Sequence, residues 1–147
     1  MSPIHYLCKN PSITFEMIYA LVQSGVINWN LGGHTPLHDL CINTSVTKEI
    51  IKILINNGAD FHIQWYSPLH FLCLSHVITT EIIDILIQNQ ANFNLQIATV
   101  LHCLCQNPLI SEEMIKLLKG SNADFSIKSS YGTTPKDFLP NHLQKLI

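Results

Sequence analysis

Apolar positions return along this chain in a fixed frame. Four segments align on one another: PIHYLCKNPSITFEMIYALVQSG from Pro3, PLHDLCINTSVTKEIIKILINNG from Pro36, PLHFLCLSHVITTEIIDILIQNQ from Pro68 and VLHCLCQNPLISEEMIKLLKGSN from Val100. Their histidines, His5, His38, His70 and His102, stand 33, 32 and 32 residues apart. A partial fifth repeat begins with TTPKDFL at Thr133 and ends the chain. Within each repeat the pattern predicts two short helices. The first starts at a proline in three repeats, whose fixed φ suits the first helical position, and carries apolar positions such as Leu37, Leu40 and Cys41. The second follows Thr14, Thr47, Thr79 (or Thr80) and Ser111, each able to offer an oxygen to an orphan backbone N–H. Two residues on, Glu16, Glu49, Glu81 and Glu113 lie in the first turn, where the helix dipole favours negative charge.

The flanks of the second helix sharpen this picture. Ile13, Val46, Ile78 and Ile110 precede the caps, and Ile18, Ile51, Ile83 and Ile115 follow five positions later, as in a hydrophobic staple. Gly25 and Gly58 are placed to end their helices in the left-handed conformation. Gln90 and Asn122 stand at that position in the other repeats, and asparagine tolerates it better than glutamine. No single repeat can bury its own apolar stripe, so stability has to come from stacking neighbours. The expected organisation is one domain over residues 1–147, with repeats of approximately 1–29, 30–61, 62–93 and 94–126 and a C-terminal cap at 127–147. The last eight residues, PNHLQKLI from Pro140, are expected to form a short, partly polar second helix that closes the array.

Three stretches carry a family resemblance: GHTPLH from Gly33 to His38, NNGAD from Asn56 to Asp60, and YGTTPKDFL from Tyr131 to Leu139. With the period of about 33 they resemble the ankyrin repeat. The resemblance implies an all-α ankyrin-repeat solenoid of helix–turn–helix repeats with short β-hairpin fingers, four repeats plus a partial C-terminal cap. It also implies that partners bind along finger tips and the concave first-helix face. Departures are visible. Leucine plus cysteine, as in Leu40 and Cys41, replaces the family's two alanines, and the fingers before Pro68 and Val100 are shortened.

Composition narrows the function. Charged residues make up only 12% of the chain, about half the usual ~25%. The net charge of −2 leaves no electrostatic footprint for nucleic acid. No stretch reaches the ~18 apolar residues of a membrane span, and the first residues do not read as a secretory signal. Five cysteines, four of them at one repeat position, suit packing in a reducing compartment, so the cytoplasm or nucleus is the expected location.

His and Cys recur as H-x-x-C in every repeat, which raises metal binding and thiol chemistry. A closed zinc site needs about four converging ligands, whereas stacked helices lie about 8–10 Å apart. A Cys–His nucleophile needs an exposed thiolate, an orienting group and an oxyanion site. Four near-identical copies favour the structural reading: the resemblance implies a histidine bonded to threonine and backbone, and cysteine in the core. No catalytic residue, metal ligand or cofactor is therefore assigned. Cys103, which breaks the column of Tyr6, Asp39 and Phe71, is expected to be the most exposed thiol.

The aromatic residues outside the frame give the sharper pointer, because aromatics dominate binding hot spots. Trp65, Tyr66 and Tyr131 fall in or beside fingers, and Phe71 lies on a first helix. With Leu31, His34, Ile42, Gln64, Leu74, Ile97 and Ala98 they make a low-charge candidate partner-binding surface. Packing is the expected role of Trp29. The reading is a non-enzymatic protein–protein interaction module, an adaptor, scaffold or inhibitor. The alternatives are an interaction domain of a larger protein, or a Cys/His-based thiol or metal protein. Ile4, Tyr6, Phe15 and Tyr19 leave the first repeat apolar at its open end, which raises end-to-end self-association.

Overall fold

A computed structural model describes residues 2–63, 66–95 and 99–147. Eight α-helices run in order through them: α1 (Pro3–Lys9), α2 (Phe15–Ser24), α3 (Pro36–Cys41), α4 (Lys48–Asn56), α5 (Pro68–Leu74), α6 (Thr80–Gln88), α7 (Val100–Gln106) and α8 (Glu112–Gly120). The chain divides into two compact units, Met1–Val77 and Ile78–Ile147. In the first, α3 packs between α1 and α5, and α4 packs on α2. In the second, α6 packs on α8, while α7 packs on a 3-10 turn at Pro135–Phe138.

Local chemistry explains where the helices begin. The hydroxyls of Thr14, Thr47, Thr79 and Ser111 accept the N–H groups of Met17, Ile50, Ile82 and Met114 at 3.3, 3.5, 3.3 and 3.2 Å. Each staple residue before a cap is buried, and so is its partner five positions on. The first helices use a different cap, in which the histidine three residues on closes the box. The hydroxyls of Ser2, Thr35, Ser67 and Thr99 lie 2.8, 2.8, 2.8 and 2.6 Å from Nδ1 of His5, His38, His70 and His102. The backbone N–H of Thr35 also donates to Nδ1 of His38 at 3.0 Å, so that nitrogen is an acceptor and the proton sits on Nε2.

The far nitrogen reaches the following finger. Nε2 of His5 donates to the His34 carbonyl at 2.8 Å, that of His38 to the Tyr66 carbonyl at 3.0 Å, and that of His102 to the Thr133 carbonyl at 2.9 Å. One imidazole thus caps its own helix and fastens the next repeat. Amides add a second fastening. Asn43 donates to the carbonyls of Cys8 and Asn10 at 2.6 and 2.9 Å. Asn30 donates to the Gly58 carbonyl and accepts from the Asp60 N–H, both at 2.8 Å. Asn94 repeats that clamp on Asn122 and Asp124 at 2.9 and 2.8 Å.

The core is the aligned frame itself. Leu37, Leu40 and Cys41 on α3, Leu69, Leu72 and Cys73 on α5, and Leu101, Leu104 and Cys105 on α7 are all buried. Trp29 is buried as well. The left-handed helix ends hold in all four repeats, with φ of 64° at Gly25, 79° at Gly58, 62° at Gln90 and 63° at Asn122.

Two expectations need correction. The fingers contain no β-strand among the described residues. Residues 126–134 keep only a tight turn, in which Ser129 N–H donates to the Thr133 carbonyl at 2.8 Å, and one such bond does not make a ladder. The last eight residues do not form an α-helix either. They hold a 3-10 turn at Gln144–Leu146, which Leu143 enters without a side-chain cap of the kind that starts the second helices. Leu143 alone among them is fully buried, and Lys119 ties the Leu146 carbonyl to α8.

Candidate functional site

The first-helix row of the unit Met1–Val77 carries a continuous set of rings. Tyr66 stacks on His70 with centroids 5.0 Å apart and meets Phe71 edge-on at 5.6 Å. Phe71 in turn meets His38 at 5.5 Å and His34 at 6.2 Å, both edge-on. His34 stacks on His38 at 4.9 Å and on His5 at 6.3 Å. These rings come together because the histidine caps pull each finger down over the preceding first helix. Tyr66 supplies the carbonyl that His38 holds, and that bond sets the start of the next helix. Ile42 and Leu74 occupy equivalent positions at the ends of α3 and α5, and both are exposed.

Of the residues picked out from the sequence, His34, Tyr66 and Phe71 are therefore in one cluster, with Ile42 and Leu74 on the same pair of packed helices. Leu31 is exposed in the finger before α3. Tyr131 is exposed on the turn of the last finger, in the other compact unit. Gln64, Trp65, Ile97 and Ala98 lie outside the described residues.

A charged element sits under the rings. The Asp39 side chain on α3 is 1% exposed, and its Oδ1 lies 2.7 Å from Nε2 of His34 and 3.4 Å from Nζ of Lys9. Its Oδ2 is buried with no hydrogen-bond partner among the described residues. Lys9 and Asp39 had no role in the sequence reading. The available signal was a carboxylate at a position that holds aromatic residues in the neighbouring repeats, Tyr6 and Phe71, with a histidine five residues before it.

The thiols are quiet. All five cysteines are buried, and Cys103 is the least buried of them yet only 4% exposed, short of an accessible thiol. Burial, with the Asp39 charge adding to it, pushes the Cys8 thiol up to about 12. Burial alone pushes Cys105 up to about 12, and it also raises Cys41. A thiolate is the reactive form, so these groups are poor nucleophiles. Burial pulls His38 below the usual imidazole range, and both of its ring nitrogens are already engaged. In three of the four H-x-x-C copies the ring nitrogens point at a cap hydroxyl and a carbonyl, which leaves no free lone pair there for a metal.

Known proteins bear on the fold directly. The family profile described as Ankyrin repeat matches residues 32–66. Among solved structures, the ankyrin repeat domain of Bcl-3, titled a unique member of the IkappaB protein family, superposes with a TM-score of 0.69. It is 22% identical, and the match covers 99% of this chain and 67% of that one. The chain has the ankyrin-repeat fold. No curated protein matches the sequence. Ankyrin repeats are protein–protein interaction modules. No helix among the described residues is long and apolar enough to cross a membrane.

Proposed function

We propose that this chain is a non-enzymatic recognition module that holds another protein against the ring-lined face of α3 and α5. The observation that carries the reading is the joined set of His34, Tyr66 and Phe71 rings beside exposed Ile42 and Leu74. Aromatic and aliphatic side chains fixed on a packed scaffold bind with little loss of conformational entropy. Leu31, exposed in the finger before α3, and Tyr131, exposed on the last finger, are further candidate contacts. Free, buried cysteines fit a reducing compartment, the cytoplasm or nucleus, and favour packing over catalysis. The test is affinity capture from the native cell with the wild-type chain, Tyr66→Ala and Ile42→Ser, with Lys48→Ala on a second helix as control. Partners should be lost with the first two variants and kept with the control. A full partner set on all of them places recognition elsewhere.

One observation favours a second use, self-association through the first repeat. Met17 is 47% exposed, while the aligned Ile50 and Met114 are 1% and 3% exposed. Those two lie on α4 and α8, which pack on α2 and α6. Ile4, Leu7 and Leu21 are likewise only half-buried where Leu37, Leu40 and Leu54 are fully buried. These four residues occupy the positions that form the repeat interface elsewhere, and none of them is charged. A two-fold contact through them meets no like-charge repulsion from their side chains. Sedimentation equilibrium should show a concentration-dependent dimer that Met17→Glu abolishes, and a strict monomer at high concentration sinks this reading.

A further inference from the structure

We infer that Asp39 is a partly vacant anchor for an arginine side chain of the bound partner, presented between apolar residues. The inference rests on the ring-lined face being the recognition surface, and it names the chemistry that face selects. A carboxylate taken out of water costs several kcal/mol unless both oxygens are satisfied. Asp39 is satisfied on one side only. Oδ1 takes His34 and Lys9, and Oδ2 is buried without a partner among the described residues. A buried acceptor left unmade in this way calls for a reason.

The two groups on Oδ1 reach it from the surface. The Lys9 and His34 side chains are 41% and 50% exposed, and each presents a single nitrogen to the same oxygen. The Lys9 ammonium stands farther off, at 3.4 Å. A guanidinium supplies what they lack, a planar fork that engages both carboxylate oxygens together. The rings complete the fit. Asp39 and Phe71 stand at the same position of α3 and α5, which pack against each other, and His34 touches both. An arginine that displaces Lys9 reaches the carboxylate with its plane against an aromatic surface, where cation–π attraction adds to the ion pair. Exposed Ile42 and Leu74 are placed for the apolar residues on either side of it. Charge complementarity selects arginine over an acidic or neutral anchor, because Asp39 is the acid buried under this face.

The probe is the peptide Ac-Ser-Leu-Arg-Leu-Ser-NH2, compared with its citrulline and lysine counterparts by NMR titration of the full chain. Citrulline keeps the shape and loses the charge, so it tests the anchor without touching the protein. The arginine peptide should shift Asp39, Lys9 and Phe71 resonances saturably, with citrulline weaker by about tenfold or more, the size of a charged hydrogen-bond pair. Asp39→Asn, nearly isosteric and free of a buried charge, should bring the arginine peptide down to the citrulline level. Lys9→Ala, which removes the internal competitor, should tighten it, a result that a merely structural Lys9–Asp39 pair would not give. Equal binding of citrulline, unchanged binding by Asp39→Asn, weaker binding by Lys9→Ala, or no saturable shift at millimolar peptide each overturns the inference. Failure here is separable from failure of the face itself. Native partners lost by Tyr66→Ala but unaffected by Asp39→Asn would remove the anchor and leave the recognition surface standing.

Discussion

His38 gives the sharpest test of how this fold is held. Replacement by alanine removes the acceptor for the Thr35 N–H at 3.0 Å and the donor to the Tyr66 carbonyl at 3.0 Å. Thr35 is fully buried, so water cannot take the vacated place at its N–H, and the carbonyl of Tyr66 is partly covered. A buried group left unpaired costs about 1–3 kcal/mol. Two groups, one of them partly wet, together with the space the ring leaves, put His38→Ala at about 2–4 kcal/mol. That is a large share of the ~5–15 kcal/mol that holds a natural domain together. His5 makes the same contacts, with Ser2 at 3.1 and 2.8 Å and the His34 carbonyl at 2.8 Å, but in the exposed first repeat. Solvent replaces those bonds, so His5→Ala should cost only about 0.5–1.5 kcal/mol. Urea unfolding followed by far-ultraviolet circular dichroism measures both. With a slope of about 1–3 kcal/mol per molar urea, the midpoints of the two variants separate clearly. Equal losses, or a loss below about 1 kcal/mol for His38→Ala, would show that burial of the bonded imidazole is not what fastens neighbouring repeats.

Three further outcomes follow from the same geometry. Because burial pulls the His38 pKa below that of the unfolded chain, the unfolded state takes up the proton first as pH falls. The stability this group confers is complete above about 6.5 and is lost as pH drops from there toward the lower native value, so urea midpoints should fall between pH 7 and 5, less steeply in His38→Ala. Gln90 holds a φ of 62° that glycine adopts without strain, so Gln90→Gly should raise stability by about 1 kcal/mol, read as a higher midpoint; Asn122→Gly should gain less. A thiol reagent such as DTNB at pH 8 should react slowly with the native chain and rapidly with all 5 cysteines in denaturant; one fast native thiol would contradict the burial of that column.

Much of the fold was legible because the sequence states each instruction four times. The caps Thr14, Thr47, Thr79 and Ser111, the staples and the left-handed ends are local rules, and local rules survive into the structure. The errors lie where the repeat runs out. The segment from Pro140 to Ile147 resembles the second helices of complete repeats, but it has no staple pair and no capping hydroxyl like that of Thr14 or Ser111. The family resemblance implies strands in the fingers, and none is present among the described residues, where residues 126–134 close on a tight turn instead.

The site was less legible, for a different reason. Ile42, Tyr66 and Phe71 stand out in an alignment of repeats because they are apolar where the frame does not require it. Whether such residues meet depends on which way each finger folds, and that is decided by bonds between repeats, such as His38 to the Tyr66 carbonyl. Asp39 shows the limit most plainly. In the aligned column it reads as one polar exception among Tyr6, Phe71 and Cys103. Its burial arises only when α1 brings Lys9, and the finger brings His34, over α3 from 30 and 5 residues away. A repeat therefore advertises its scaffold in every copy, while the property that distinguishes one array from another sits at the positions where the copies disagree. In this chain the Asp39 column is the place where that disagreement is both buried and charged.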